Sequence, residues 1–298
     1  MVIIQGCHLD TINRVSILPT CSTDLDMPFY NNSATLRLYY NDPAPEGSPC
    51  VILLHGLGAT NESWAFQVPA LVTHRYRVLV PDIRGFGRST YPGKAHSIQD
   101  LAGDIIHIMD HEAITSAHLV GISMGGAIAL QLACDYSNRF EKLVLVNTFA
   151  RLRPNSFESR VYFLIRFGLV HVLGLQAQAH FVANRLFPGP DQDLLRETFV
   201  EQIMHSDPRG YRATMRALSR LNLTQRLPGI PHQTLVITGE HDFTVPPHIQ
   251  TQLKDEIPNA YQVLIPGAGH AVSVEKPAEF NKILVEFLSD ETGTTCTN

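Results

Sequence analysis

The stretch AHLVGISMGGAIALQLAC, residues 117–134, decides the fold. Its first part, 117–123, is short and rich in apolar residues and predicts a buried strand, whereas the Ala- and Leu-rich run Gly125–Cys134 predicts a helix. The pattern G-x-S-x-G lies between them, as GISMG (121–125). A serine hydroxyl is an effective nucleophile only when a turn projects it toward a base, and a tight strand-to-helix corner needs small residues on both sides. The two glycines supply them, so Ser123 is predicted to be a nucleophile.

Strand-like and helix-like segments continue to alternate on both sides of this corner. Between residues 50 and 150, short β-branched runs alternate with longer amphipathic runs, a pattern typical of a parallel sheet with crossover helices. We therefore expect an α/β fold with a mostly parallel central sheet flanked by helices. The other strands predicted for the sheet are CVILLHG (50–56), YRVLVPD (76–82), KLVLVN (142–147), QTLVITG (233–239) and YQVLIP (261–266). A half-exposed antiparallel strand is predicted at 33–41, and helices at 62–74, 98–112 and 278–288.

Residues 151–229 interrupt this alternation and are predicted to be a helical insertion into a core formed by residues 1–150 and 230–298. The insertion contains no strand-like run, and its pattern favours helices around 158–174, 192–205 and 208–222. It holds eleven Arg, no Lys and six acidic residues. Three explanations of this positive charge stay open. They are docking of the insertion over an acidic core, attraction of an anionic substrate by the insertion, and a location of its Arg residues on solvated helix faces.

The overall composition is that of a globular protein. The chain has 298 residues, is 44% hydrophobic and 17% charged, and carries a formal net charge of -5, which fits one large α/β domain or two smaller ones. Because the chain has no runs of like charge, we do not expect nucleic acid as a partner. The longest apolar stretch, 161–175, contains Arg166 and His171 and is short for a membrane span. We expect a helix that is buried on more than one side, and no membrane span.

Neither a metal nor a cofactor is expected. The five cysteines are scattered without the C-x-x-C spacing of metal or redox sites, which favours a reducing, cytoplasmic compartment. His107 and His111 have ligand spacing on a predicted helix, but no third ligand accompanies them. His55 and Asp82 are expected to be structural residues of their loops. Residues 1–21 lack the basic segment and the unbroken apolar run of a signal peptide, so we expect them to remain in the mature protein.

An activated serine needs a base and an acid that orients the base, and residues of both kinds follow later strands. The tripeptide EHD (240–242) follows the strand 233–239, and GAGH (267–270) follows the strand 261–266. Because parallel strands end at the same edge of the sheet, these loops are expected to meet Ser123 there. His270 would accept the serine proton, and a carboxylate would hold the other nitrogen of its ring.

These motifs resemble those of the α/β-hydrolase superfamily, in particular its small esterase, enol-lactonase and haloperoxidase-like branch. The matching segments span most of the chain outside the insertion: HGLG (55–58), DIRGFGRS (82–89), GISMG (121–125), GEHDFTVPP (239–247) and GHAVSVEKPAEF (269–280). The resemblance implies the α/β-hydrolase fold, with 151–229 as an all-helical cap, or lid, inserted after the sixth strand.

The same resemblance implies roles for individual residues. It makes Asp242 the acid of the triad, rather than Glu240 or His241. It also assigns the oxyanion hole, the pair of N–H donors that stabilises negative charge on the substrate carbonyl, to the backbone amides of Leu57 and Met124. The amide of Met124 has independent support, since it begins a predicted helix whose first N–H groups are free.

The expected activity is hydrolysis of small to medium uncharged, apolar esters through an acyl-enzyme. A serine nucleophile removes the dehalogenase and epoxide-hydrolase branches, which the family builds on an aspartate. The loop HGLG (55–58) lacks the extra glycine typical of carbon-carbon bond hydrolases, and His270 is followed by Ala271 instead of tryptophan. Lactonase, carbon-carbon bond hydrolase and perhydrolase activities remain alternatives, as does a ligand-binding, receptor-like protein that retains the triad.

The substrate pocket is predicted to include apolar residues of the insertion. These are Phe163, Phe167, Leu169 and Leu173. A small-molecule ester or lactone is the expected partner, and the protein is expected to be a monomer or a homodimer.

Overall fold

A computed structural model describes residues 29–152 and 157–290. The outer parts of the predicted core, 1–28 and 291–298, lie outside the described residues, as does the expectation about residues 1–21. At the centre is an eight-stranded sheet with the spatial order β1-β2-β4-β3-β5-β6-β7-β8. Its strands are β1 (Phe29–Ser33), β2 (Leu36–Asn41), β3 (Cys50–Leu54), β4 (Arg77–Pro81), β5 (Ala117–Ile122), β6 (Phe140–Val146), β7 (Gln233–Gly239) and β8 (Ala260–Ile265). Strands β3 to β8 are parallel to one another, whereas β1 and β2 are antiparallel. The predicted α/β fold with a mostly parallel sheet is confirmed.

The parallel strands are buried on both faces, which explains their continuous apolar runs. In β3, Ile52 and Leu54 join an apolar cluster on one face of the sheet, and Val51 and Leu53 join the cluster on the other. The first strand region differs from its prediction. Residues 29–41 form a hairpin, β1 and β4 pair with the two edges of β2, and β2 is mostly buried because Leu36, Leu38 and Tyr40 pack in the first cluster.

Helices cover both faces of this sheet. Residues of α2, α3 and α8 pack in the first cluster, and residues of α1 and α10 pack in the second. The helices are α1 (Gln67–Thr73), α2 (Ile98–His111), α3 (Met124–Asp135), α4 (Phe157–Gly168), α5 (Gly174–Leu186), α6 (Asp193–Met204), α7 (Pro208–Arg220), α8 (Pro247–Glu256), α9 (Val272–Glu275) and α10 (Pro277–Ser289). Helices α4 to α7 lie between β6 and β7, which agrees with an all-helical insertion after the sixth strand. The boundaries 151 and 229 of a separate cap domain stay a prediction.

The first long segment of the insertion is less buried than its sequence predicted. Helix α4, the π-helical turn Leu169–Leu173 and α5 follow one another, and a buried stripe runs along α4 and the turn at Tyr162, Arg166 and Val170. These positions are four residues apart, so they share one face of the helix. The opposite face is exposed, with Leu164 72% and Val172 81% accessible. The expectation of burial on more than one side is therefore wrong.

The same segment has the length and composition of a membrane-spanning helix. Over Arg160–Leu186, 27 residues, an 18-residue window reaches a mean hydropathy of 1.3, and 28% of that window is buried. A core helix of a soluble protein meets the same criteria of length and composition. The expected absence of a membrane span stays a prediction.

Candidate active site

Ser123 occupies a strained corner between β5 and α3. Its backbone has φ 54° and ψ -112°, a left-handed conformation that is costly for a residue with a side chain. The corner is tight: a Cβ on Gly121 would overlap the carbonyl of Gly125, and a Cβ on Gly125 would overlap the carbonyl of Leu54. Both glycines of the motif are therefore required by close backbone approach, and the strained turn is the geometry of a nucleophile elbow.

His270 and Asp242 form a hydrogen-bonded pair in the loops after β8 and β7. The Nδ1–H of His270 donates to Oδ2 of Asp242 at 2.8 Å. The carboxylate is only 1% exposed, and its other oxygen accepts the backbone N–H groups of Thr244 at 2.8 Å and Val245 at 2.9 Å. These donors hold the carboxylate in one orientation, and the bond to Nδ1 leaves Nε2 of the imidazole available as an acceptor.

Ser123 and His270 line the same cavity. Ser123 Oγ makes no hydrogen bond to His270 in this structure, and in unliganded sites such bonds often tighten only when substrate is present. Glu240 and His241, the other polar residues of the acid loop, are about half exposed, and neither lines the cavities that contain Ser123. The structure thus brings together the three residues that the sequence singled out.

Two residues that the sequence did not single out tie the acid and base loops together. Asn147, which follows β6, donates through Nδ2 to the carbonyl oxygens of Gly269 at 3.0 Å and His270 at 2.7 Å. Gln250 of α8 is fully buried, and its Nε2 donates to Oδ1 of Asn147 at 3.2 Å and to Oδ2 of Asp242 at 3.3 Å. Both are positioning residues. Their role depends on contacts across three loops, which no local pattern reveals.

The two predicted oxyanion donors also lie at this site. Leu57 lines both cavities beside Ser123, and Met124 is the first residue of α3. Within the described part of the chain, neither backbone N–H donates to a protein acceptor. The first amides of a helix have no partner within it and attract negative charge. Both N–H groups are therefore available to a substrate oxygen.

His55 and Asp82 are structural, as expected. The backbone N–H of Ile83 donates to Nε2 of His55 at 3.0 Å, which makes the ring neutral with its proton on Nδ1, where it donates to the carbonyl of Gly56 at 2.8 Å. Complete burial lowers the pKa of His55, against the opposing charge of Asp82. Asp82 itself accepts backbone and side-chain N–H groups of Asn61. These bonds fix the loops that carry Leu57.

In the part of the chain that the structure describes, Ser123 lines two cavities. The larger, about 310 Å³, is lined on the insertion side mainly by apolar residues of α4, α5 and α6. The second, about 250 Å³, includes Phe163 and Phe167. Arg166 lines both cavities, a position that the sequence did not indicate.

The predicted pocket needs correction at two positions. Leu169 and Leu173 line neither of the cavities that contain Ser123. Both belong to the π-helical turn, where Leu169 is half-buried and Leu173 is 67% exposed. The wider turn changes the angular spacing of the side chains that follow α4, so they no longer continue its cavity-facing side.

Metal-binding side chains are not clustered among the described side chains of residues 29–152, 157 and 160–290. No group of three or more His, Cys, Asp or Glu there could hold an ion. His107 lies against Asn32, whose Nδ2 is 3.3 Å from its Nδ1.

Fold and site together define a hydrolase. The family model described as the alpha/beta hydrolase fold matches residues 49–277, and the chain belongs to this family. Among its relatives is RutD of Caulobacter segnis, a protein named as a proposed carbamate hydrolase. RutD is 32% identical to this chain over 252 residues, which cover 81% of this chain and 92% of RutD.

Solved structures give the same assignment. The enol-lactonase of Burkholderia xenovorans LB400 is 30% identical and superposes with a TM-score of 0.81, over 88% of this chain and all of the enol-lactonase. A thermophilic esterase of Thermogutta terrifontis is 26% identical and has a TM-score of 0.75, over 88% of this chain and 96% of the esterase. The chain is thus a hydrolase of the α/β-hydrolase family, with relatives in its esterase and enol-lactonase branch.

Proposed function

We propose that this hydrolase is a serine carboxylesterase that cleaves small to medium apolar esters through an acyl-enzyme. The observation that carries the proposal is the buried hydrogen bond between His270 and Asp242, on the cavity that Ser123 lines. A nucleophile, a base and an acid on neighbouring loops are what acyl transfer requires. The esterase among the structural neighbours supports the same reaction.

In the proposed mechanism, His270 accepts the proton of the Ser123 hydroxyl while Oγ attacks the ester carbonyl carbon. The carbonyl oxygen becomes an oxyanion that accepts hydrogen bonds from the amides of Leu57 and Met124. When the intermediate collapses, the alcohol leaves with the proton from His270 and the acyl group stays on Ser123. A water molecule activated by His270 then releases the acid, while Asp242 keeps the imidazole in the required tautomer.

Two further substrate classes fit the same chemistry. A lactone is an ester whose alcohol stays attached after cleavage, and the likeness to an enol-lactonase supports this candidate. A carbamate would carbamoylate the serine, and the relationship to RutD supports that candidate. We retain a cytoplasmic location, the absence of a nucleic-acid partner and a monomeric or homodimeric state as part of the proposal.

Hydrolysis of p-nitrophenyl esters from acetate to decanoate tests the proposal. We expect turnover by the wild type with an optimum at short to medium chains, and loss of turnover in Ser123→Ala by at least about 1,000-fold. Ser137→Ala, at an exposed serine, is the matched control and should match the wild type. A fluorophosphonate probe should label Ser123 and no other serine, as mass spectrometry of the digested protein would show.

The result that overturns esterase activity is a folded wild type that hydrolyses no ester faster than Ser123→Ala. Lactones and N-alkyl carbamates, assayed by pH-stat with the same two proteins, then decide between the other candidates. A stable adduct without turnover in every assay would favour a receptor-like protein.

A further inference from the structure

Arg166 is a buried cation in the wall of both cavities beside Ser123. Arg166 is 7% exposed and belongs to the buried stripe of α4. Its Nη2 donates to the hydroxyl of Tyr211 at 3.1 Å. The side-chain amide of Gln178 is assigned the orientation in which both its oxygen and its nitrogen form hydrogen bonds. In that orientation, Nε of Arg166 donates to the amide oxygen at 2.9 Å. The guanidinium also lies 5.6 Å from the ring centre of Tyr162.

All of these partners are neutral. Among the side chains that the structure describes, in 29–152, 157 and 160–290, no carboxylate forms an ion pair with Arg166. The acidic residue among those that line the larger cavity, Glu62, is exposed to solvent and forms no ion pair with Arg166. Arginine stays protonated in proteins, so the site holds a full positive charge without a counter-ion.

A buried, unpaired arginine costs folding free energy if its role is only structural. Burial of a charge is unfavourable unless an opposite charge or a set of strong hydrogen bonds compensates it. Neutral side chains of similar length could bond to Gln178 and Tyr211 without that cost. A second buried polar group belongs to Tyr162, which lines the larger cavity: its hydroxyl interacts with the guanidinium but makes no hydrogen bond of normal geometry to the described side chains.

We infer that Arg166, together with the hydroxyl of Tyr162, binds a carboxylate of the substrate. A planar carboxylate matches the paired N–H groups of a guanidinium, and such a charge-assisted bond is strengthened where the guanidinium is mostly buried, as in Arg166. The rest of the cavity lining is mostly apolar and suits a hydrocarbon chain. The substrate class is therefore an ester or lactone whose apolar chain carries a carboxylate, such as a half-ester of a dicarboxylic acid. This inference rests on the proposed function, since it places the carboxylate within the cavity of Ser123.

The net positive charge of the insertion supports the same class of substrate. The insertion has eleven Arg against six acidic residues, and a net positive charge of this kind attracts anions. A general field and a specific contact differ in one respect: removal of an exposed Arg weakens the field, but only removal of Arg166 takes away the contact. The exposed Arg220 at the end of α7 provides that comparison, because it lines neither cavity.

The experiment compares matched substrates with and without a negative charge. Mono-p-nitrophenyl esters of the dicarboxylic acids from glutarate to suberate are assayed beside the same compounds with the free carboxylate capped as a methyl ester. We expect the wild type to prefer the charged member at one or more chain lengths. Arg166→Met should lower kcat/KM for the charged member by about 10- to 100-fold and change that for the capped member by less than about 3-fold. Arg166→Lys should restore part of the preference, and Arg220→Met should keep it.

Equal losses on both substrates in Arg166→Met would make Arg166 a structural residue and overturn the inference, as would a wild type without preference at every length. The capped substrates test the proposed function by themselves, because their hydrolysis by the wild type but not by Ser123→Ala does not depend on Arg166. If Arg166→Met does not fold, ligand binding to the Ser123→Ala protein tests the inference instead. Calorimetry on Ser123→Ala should show monomethyl adipate binding at least about 10-fold more tightly than dimethyl adipate, and equal or absent binding of the two would overturn the inference.

Discussion

Gly125 allows the turn at Ser123 to form, because its α-carbon lies against the backbone of β3. A methyl group there would overlap the carbonyl oxygen of Leu54, which belongs to a central strand and cannot move aside. We predict that Gly125→Ala lowers the free energy of unfolding by at least about 3 kcal/mol or prevents folding. Urea denaturation followed by circular dichroism measures the change.

Gly103 provides the control for this substitution. It lies inside α2, and a Cβ there would meet no atom within 4 Å. Gly103→Ala should therefore raise the free energy of unfolding by about 0.5 to 1 kcal/mol, from helix propensity alone. A Gly125→Ala protein as stable as the wild type would show that the corner relaxes and that the overlap is not decisive.

Asp242 accepts hydrogen bonds on both carboxylate oxygens, so replacing either oxygen by a nitrogen donor would disrupt its contacts. An asparagine accepts at only one side, so it loses either the loop amides or the imidazole N–H. We predict that Asp242→Asn lowers kcat on a p-nitrophenyl ester by about 10,000-fold while the thermal unfolding midpoint falls by only a few degrees. Steady-state kinetics and calorimetry of the same preparation measure both.

Glu240→Gln separates this effect from a general loss of acidic charge in the loop. Glu240 is partly exposed and accepts the backbone N–H of Gly267 at 2.8 Å, away from His270, so kcat should stay within about 3-fold of the wild type. If Glu240→Gln were as inactive as Asp242→Asn, the acid would be misassigned.

The sequence was most informative where function is local. Ser123 was found because its motif sits at the end of a strand, and Asp242 and His270 because they follow later strands at the same edge of the sheet. Arg166 was missed because an arginine in an apolar helix has the pattern of a solvated residue. Its burial depends on Tyr211 and other residues far along the chain, and such contacts leave no local signal.

At the scale of elements, the strands were easier to predict than the helices of the insertion. Buried parallel strands are continuous apolar runs, so each one was recognisable by itself. The insertion segment 158–174 was expected to be one helix, but Gly168 is followed by a π-helical turn and a second helix, Gly174–Leu186, that was not predicted. That helix mixes Ala and Gln with few large apolar residues, and its buried face is determined by α6.

His96 joins the core to the insertion across two elements. It precedes α2, and its Nε2 lies 2.9 Å from Oγ1 of Thr214 in α7. Burial, reinforced by the charge of Arg84 and opposed by that of Asp100, lowers the pKa of His96 to about 4. In the unfolded chain a histidine titrates near 6.5. Between these two values the unfolded state binds more protons, so acid favours unfolding.

We therefore predict that the free energy of unfolding falls as the pH is lowered from about 6.5 toward 4, and that His96→Gln flattens this dependence. The glutamine side chain can still bond to Thr214 but does not titrate. Urea denaturation at pH 7, 6 and 5 provides the measurement. His74→Gln, at an exposed histidine of the core, should leave the profile unchanged. A profile for His96→Gln as steep as that of the wild type would assign the acid sensitivity to another group.

At the scale of the whole molecule, the insertion shares its apolar packing with the core. Buried residues of the insertion, among them Val170, Tyr211 and Leu218, belong to the same cluster as Leu54 and Met124 beneath the site. The sequence identified the insertion by its pattern and its charge, but it could not show this shared packing. The contacts involved join residues about 50 to 160 positions apart in the chain. We therefore expect that the helical insertion, which lends its apolar side chains to the core cluster, is not stable on its own.

The shared cluster leads to a prediction about cooperativity: insertion and core should unfold in one transition. Trp64, the single tryptophan of the sequence, is fully buried in the cluster on the opposite face of the sheet, so its fluorescence reports on the core. Pulsed hydrogen exchange with mass spectrometry reports on the amides of α7. In urea, the midpoints of the two signals should agree within about 0.2 M, as they do for a two-state protein. Loss of protection in α7 at clearly lower urea, with Trp64 fluorescence still native, would instead make the insertion a cap that unfolds separately.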